Sequence, residues 1–379
     1  MKIMIEKKFW KPSVTSQFPV CPIPFHMDTY RGCAYNCLYC FARDFVTFSR
    51  RNSEHKEFSY LVGNKADSLD KWIQRTLAKP YDYNNAAEVA FKERIPIKIG
   101  ATSDPFPPNE AKDKITFDVL KVFEKYDYPL EIQTKNPVVL ASYSDAFENP
   151  NWVISVTLIS TNDEFLKVVE PNAPSAKSRL AAIKALTSSG KKVMIKIQPA
   201  MYPQVLTDLP DVVKAAKEAG CFGFNIEGLK IRKTMPKSEQ LLFKKISKVL
   251  GYDLREFYIK QGVGTGSDWE MPDKTKMEYI DFANILASTN DLKFYVADNN
   301  MGKIGCNGEC CGTEVLHDYK IWGNNTRTKA FGDCSKYSKV FGQCKANFMR
   351  SQANNDKTLD EVMKERSQKP KKIMTKKLI

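Results

Sequence analysis

The segment YRGCAYNCLYCFAR sets Cys33, Cys37 and Cys40 at C-x3-C-x2-C spacing. Three thiolates on so short a loop can hold one [4Fe–4S] cube and leave its fourth iron without a protein ligand. An open iron can chelate the amino and carboxylate groups of S-adenosylmethionine. An electron from the reduced cluster then cleaves the sulfonium and yields a 5′-deoxyadenosyl radical. Gly32, just before the first ligand, lets the backbone come close to the cluster. Tyr39 and Phe41 flank the last ligand and can shield it and pack on the adenine. Two other readings fit the same residues: a zinc site short of one ligand, or three buried free thiols. Zinc pairs usually come as C-x2-C with a second pair downstream. His26 as a fourth ligand is less natural than His26 at the start of the first strand.

A second cysteine group follows far downstream. MGKIGCNGECCGTEVL carries Cys306, Cys310 and Cys311, with Cys334 and Cys344 beyond. Cys306, Cys310, Cys334 and Cys344 make four thiolates, enough for a structural zinc or an auxiliary Fe–S cluster. Alternatively, Cys310 or Cys311 reaches the active cavity as a hydrogen donor, or the group is simply reduced cysteine. Cys221 opens an apolar run and reads as core, while Cys21 is ambiguous.

The elements that must position these residues alternate. Short apolar runs at 95–101, 130–135, 152–159, 192–200, 221–229 and 293–298 read as buried strands. Amphipathic stretches at 115–126, 175–189, 211–220 and 238–250 read as helices between them. Such alternation predicts a parallel sheet with βα crossovers. The expected fold is α/β: a partial, open (βα)6 TIM-like barrel with a cysteine-containing C-terminal extension. The expected division is an N-terminal lead over 1–25, the barrel over 26–298 with an insertion at 44–93, and the extension with its basic tail over 299–379. Chemistry should gather at the C-terminal ends of the strands. The stretch 261–269, QGVGTGSDW, reads as a mobile loop over the barrel mouth. Glu227, Asp104, Asp298 and Asn299 read as strand-end polar groups in solvent.

Around the cysteine triad the chain resembles the radical S-adenosylmethionine superfamily, and within it the branch containing spore photoproduct lyase. GATSDPFPP (100–108), IQTK (132–135), VISVT (153–157) and VVEPNAPSAKSRLAAIKALTSSGKKV (168–193) match that branch in order. The resemblance covers residues 26–200 and weakens beyond. It implies a partial barrel, a [4Fe–4S] cluster and S-adenosylmethionine, with cofactor contacts at Ser103, Lys135 and Ser155. Lys135 offers a cation for the cofactor carboxylate, and the serines offer hydroxyls. Two positions depart from the branch. Ala101 stands where the lyase has a hydrogen-donating cysteine, and Phe41 where it has a tyrosine. The cofactor machinery is therefore expected with a different second half-reaction.

The chain has 379 residues and a net charge of +14, with a dense basic cluster from Lys364 to Lys377. Positive charge favours nucleic acid as substrate or partner without specifying it. No apolar run of about 18 residues exists, which excludes a membrane helix. The charged N-terminus carries no signal peptide, so a cytoplasmic protein is expected. A cluster enzyme of this kind also needs a reductant protein such as flavodoxin or ferredoxin. Three functions compete: a radical enzyme acting on a nucleic acid or nucleotide, one acting on a peptide or small molecule, and a non-enzymatic zinc-bound nucleic-acid-binding protein.

Overall fold

The computed structural model describes residues 5–14, 21, 23–43, 57, 59–80, 86–148, 150–298, 301 and 310–320. Its centre is a sheet of parallel strands in simple sequential order: β1 (Phe25–Met27), β2 (Ile97–Ile99), β3 (Leu130–Thr134), β4 (Trp152–Thr157), β5 (Lys192–Ala200), β6 (Gly223–Gly228) and β7 (Lys293–Val296). Ser13–Val14 adds an antiparallel strand beside β1. The expected partial barrel is present, with the short β1 as one parallel strand more than the six apolar runs.

Alternation along the strands explains the barrel. Ile97, Ile99, Ile132, Ile154, Val156, Ile195 and Phe224 pack into the main apolar core with the crossover helices. The intervening residues Lys98, Glu131, Ser155, Lys196 and Asn225 are equally buried but polar. Because successive strand side chains point to opposite faces, these polar residues share the concave inner face. Toward their C-terminal ends the runs are thus apolar on the outer face and polar on the inner one.

The helices packed outside include α1 (Ala66–Ala78), α2 (Ile115–Lys125), α3 (Pro137–Ser142), α4 (Ala176–Ser188), α5 (Gln204–Glu218), α6 (Lys237–Leu250) and α7 (Asp273–Thr289). Ser175 caps α4 by accepting from Ser178 N, which satisfies one of the amides a helix start leaves open. Helix α5 begins at Gln204 and carries Pro210 inside it. α1 lies within the 44–93 stretch and buries Leu69 and Ile73 at i, i+4 spacing.

The N-terminal end of the barrel is closed by residues 310–320. Leu316 packs on Val153, Met194 and Tyr295. Asn151, just before β4, exchanges two hydrogen bonds with the His317 backbone, at 2.7 and 3.0 Å. Lys320 N donates to the carbonyl of Arg94, shortly before β2. Cys306, Cys334 and Cys344 lie outside the described residues, as does Asn299. Residues 261–269 are not a loop: Val263–Thr265 and Asp268–Glu270 pair as an antiparallel hairpin, joined by Ile231–Arg232.

Candidate active site

The cysteine loop leaves the small strand Tyr30–Arg31 through Gly32, whose φ of +92° only glycine adopts readily. The loop is pinned along its length. Leu38 N donates to Val169 O at 2.9 Å. Asn172 Nδ2 donates to Ala34 O at 2.9 Å, and Arg43 donates to Asn36 Oδ1 and to the Cys37 carbonyl. Tyr35 hydroxyl donates to Phe106 O and receives from Asn136 Nδ2. These contacts tie the loop to segments following β2, β3 and β4.

Cys33, Cys37 and Cys40 all line one cavity of about 660 Å³, a size typical of small-molecule sites. Its other walls come from the C-terminal ends of the strands: Gly100–Asp104, Gln133–Lys135, Thr157, Gln198 and Glu227–Lys230. Burial pushes the Cys33 thiol up to about 11 and the Cys37 thiol well above its usual value. A sulfur-rich wall without its own cation at each sulfur suits a metal group that holds thiolates. Among the described residues no three His, Cys, Asp or Glu side chains are disposed to hold a single metal ion. A cube, in which each thiolate binds a different iron, asks for no such convergence. Three thiols on one cavity wall could hold an iron–sulfur cube, each thiolate on a different iron.

Lys135 projects beside this loop, its Nζ 5.6 Å from the Tyr39 ring centroid. Burial alone would lower its pKa, but Cys37, Glu170 and Asp104 outweigh that and hold it up as a cation. Its backbone N–H donates to Asp104 Oδ2 at 2.7 Å. Asp104 also accepts from Thr134 Oγ1 and Phe106 N, at 2.7 and 3.0 Å. Asp104 is thus a clamp between the ends of β2 and β3 rather than a solvent carboxylate. Ser103 lines the cavity with its hydroxyl donating to Tyr30 O.

Ser155 is placed elsewhere. It is fully buried, donates to Glu131 Oε1 at 3.1 Å, and is not part of the cavity wall. Thr157, two residues on along the same face of β4, takes that place. Phe41 stands at the rim, 68% exposed, and shields less than expected. Glu227 lines the far wall, paired with Lys230 at 2.8 Å. Asp298 is buried and paired with Lys276 at 3.1 Å, so it is not a solvent group either.

One buried network behind the triad was not legible as a site. The Tyr39 hydroxyl donates to Glu170. Arg179, fully buried, donates to Glu170 Oε2 at 2.5 Å, Thr157 O at 2.9 Å and Pro174 O at 2.8 Å. Glu170 is held below the ordinary carboxylate value: burial opposes this, but Arg179 and Lys135 prevail. The available signal was the pair Glu170 and Arg179 flanking a proline-rich turn, where a buried charge needs a partner.

Cys310 and Cys311 lie inside the barrel beneath the cavity floor, grouped with Cys21, and none of the three lines the cavity. Cys221 is core, its thiol pushed up to about 12 by burial.

Comparison with solved structures decides the fold. A variant of spore photoproduct lyase superposes with a TM-score of 0.54 at 15% identity, covering 77% of this chain and 80% of that one. Another lyase variant, with bound AdoMet and dinucleoside spore photoproduct, gives 0.51 at 15% identity over 72% and 76%. The chain has the fold of spore photoproduct lyase. No family model matches the sequence. Among curated proteins, an uncharacterized protein of Mycobacterium tuberculosis is 25% identical over 224 residues, 56% of this chain and 60% of that protein. An uncharacterized protein of Methanocaldococcus jannaschii is 27% identical over 212 residues, 55% and 70% of the two chains. The chain thus spans about three fifths of the length of the first of these relatives. The cysteine loop, Lys135 and Ser103 line one cavity at the C-terminal strand ends.

Proposed function

We propose that this chain is a radical S-adenosylmethionine enzyme acting on a nucleic acid or nucleotide. Cys33, Cys37 and Cys40 would hold a [4Fe–4S] cluster, and the adjoining cavity would hold S-adenosylmethionine. The observation that carries this reading is the convergence of three thiols, the cationic Lys135 and Ser103 on one cavity at the C-terminal strand ends. When bound, the cluster and cofactor supply a 5′-deoxyadenosyl radical. The chain's own residues bind and orient. Lys135 offers its ammonium to the cofactor carboxylate, and Asp104 fixes the backbone from which Lys135 projects. Tyr39 is held by Glu170 as a flat wall beside Lys135. The opposite wall presents Lys230 and Arg232, each ion-paired with a carboxylate. The net charge of +14 supports a phosphate-bearing substrate.

Anaerobic reconstitution tests the reading. The expected result is iron and sulfide near four each per chain, and 5′-deoxyadenosine on reduction with S-adenosylmethionine. Alanine at all three cysteines should abolish both. Full zinc occupancy without iron would overturn the cluster assignment. Salt-dependent binding of DNA or RNA by the holoprotein separates the nucleic-acid reading from a peptide substrate.

A further inference from the structure

The hairpin of Val263–Thr265 and Asp268–Glu270 is fastened to the barrel by one buried cation. Lys276, on α7, is 2% exposed, and its Nζ lies 2.7 Å from Glu270 Oε2 and 3.1 Å from Asp298 Oδ1. Glu270 ends the hairpin strand that begins at Asp268, and Asp268 lines the cavity. Asp298 follows β7; its Oδ2 accepts from Gly228 N at 3.0 Å and from the Tyr279 hydroxyl at 3.4 Å. Gly228 closes β6 and also lines the cavity. A Cβ on Gly228 would stand 2.7 Å from the Tyr279 hydroxyl, so the end of β6 lies flush against α7.

The two anchored ends belong to one wall. Glu227, Gly228, Leu229 and Lys230 line the cavity. Ile231 and Arg232 follow directly and pair with Trp269 and Asp268 of the hairpin. Lys233 N donates to Ser267 O at 2.9 Å. Carried one residue back, the same register sets Lys230 opposite Glu270. The charges follow this geometry. Lys276 and Lys230 face three carboxylates, Glu227, Glu270 and Asp298. Burial alone would lower the Lys276 pKa, but Asp298 and then Glu270 hold it up as a cation. Because Lys276 serves Glu270 and Asp298, Lys230 is left to pair with Glu227 at 2.8 Å on the cavity side.

We propose that Lys276 is a positioning residue for the substrate side of the cavity. Through Glu270 it holds the hairpin, and through Asp298 the end of β6, so that Asp268 and the Glu227–Lys230 pair stand on one rigid wall. The hairpin is then a fixed part of the cavity and not the mobile loop that its glycines suggest. A cation sealed between two carboxylates suits this role, since any movement of the hairpin away from α7 strands buried charge. The inference rests on the proposed function for the meaning of that wall as the place where substrate docks. The latch itself does not.

Amide hydrogen exchange of the full-chain protein, read by peptide mass spectrometry, tests the latch. In Lys276→Met, peptides over 227–233 and 262–270 should exchange about tenfold faster than in wild type, and peptides over 130–157 within about twofold of it. Lys276→Arg, which can bridge both carboxylates, should bring the rates back to within about threefold of wild type. The charge leaves its own signature. Without Lys276, Glu270 and Asp298 repel each other; Lys230 is the cation left beside them, and the Tyr258 and Tyr279 hydroxyls stay neutral. One of the two carboxylates therefore takes up a proton as pH falls. The excess exchange in Lys276→Met, corrected for the intrinsic rate, should be smaller at pH 6 than at pH 8. Loss of side-chain packing alone would give the same excess at both. Unchanged exchange in folded Lys276→Met would overturn the proposal, as would equal acceleration across the barrel, an excess independent of pH, or no recovery in Lys276→Arg. If Lys276→Met does not fold, Glu270→Gln takes its place: it should accelerate 262–270 and leave 227–230, still held by Asp298, within about twofold of wild type. Unchanged exchange over 262–270 there would overturn the proposal equally. A chain that takes up no iron would sink the radical reading and leave the exchange result standing.

Discussion

The Glu170–Arg179 pair gives the sharpest test of how the cofactor wall is held. Both side chains are fully buried, and the guanidinium serves Glu170 and two backbone carbonyls at once. Arg179→Met keeps much of the volume and removes all three bonds. Breaking a buried ion pair by deleting one partner costs about 3–5 kcal/mol, mostly through the charge left behind. Lys135 and the Tyr39 hydroxyl remain near Glu170, and methionine repacks part of the space. The expected net loss is therefore at the lower end, about 3 kcal/mol. The double variant Arg179→Met with Glu170→Gln strands no charge and should recover about 1–2 kcal/mol of that loss.

The same pair carries a pH signature. Glu170 sits below its ordinary value of 4.5 in the folded protein. A group depressed on folding contributes stability that is fully present above the unfolded pKa and lost as pH falls through the folded one. Arg179→Met removes the larger of the two cations that depress it, so the gap between wild type and variant should narrow below pH 4.5. Urea unfolding followed by tryptophan fluorescence at pH 7 and pH 4 measures both effects, with cluster content matched. A loss under about 1 kcal/mol at pH 7 would mean the pair is not the buried ion pair described.

Three further outcomes are expected. Lys135→Ala should weaken S-adenosylmethionine binding about tenfold or more, whereas Ser155→Ala should leave it unchanged because Ser155 faces Glu131 below the cavity; titration of each reconstituted variant decides. Gly100→Ala should cost about 3 kcal/mol in a denaturant titration, since φ there is +90° and a Cβ would press on the Gln133 carbonyl and to within 2.8 Å of Pro105; a neutral substitution would contradict the described turn. Reduced holoprotein should not repair dinucleoside spore photoproduct cleanly, because Ala101 lines the cavity and offers no labile hydrogen; repair by wild type refutes this, and repair gained only in Ala101→Cys supports it.

Much of the barrel was legible because its strands are aliphatic on one face and short enough to be bounded by turns. Each of the six apolar runs contains a parallel strand. What the runs concealed is the polar inner face: Lys98, Glu131 and Lys196 read locally as interruptions, and only barrel curvature makes them neighbours. Helix α5 starts earlier than its apolar period suggests, since Pro210 reads as a breaker but sits inside the helix. Helix α7 escaped because Lys276 occupies one of its buried positions, where it meets Glu270 and Asp298. The cysteine triad and Lys135, singled out by spacing and resemblance, line one cavity. Ser155 lies one strand period below the cavity wall, which on β4 is lined by Thr157, two residues later.

The step from Ser155 to Thr157 along β4 exposes the organisation of the interior. At the N-terminal end of the strands, Val153, Met194 and Tyr295 meet Leu316 in an apolar plug. Above it lies the layer of Lys98, Glu131, Ser155 and Lys196 with the three thiols. Above that, Gln133, Thr157, Gln198 and Glu227 open onto the cavity. Lys196 belongs to both upper layers, pairing with Glu131 below and lining the cavity above. Among the described residues the lower end is covered by residues 310–320, and the cysteine loop and Ser267–Asp268 of the hairpin both line the cavity above. The residues that set substrate choice are therefore to be sought along Glu227, Lys230, Arg232 and Asp268. That stretch faces the triad across the cavity and lies beyond residue 200, where the resemblance to the lyase branch fades.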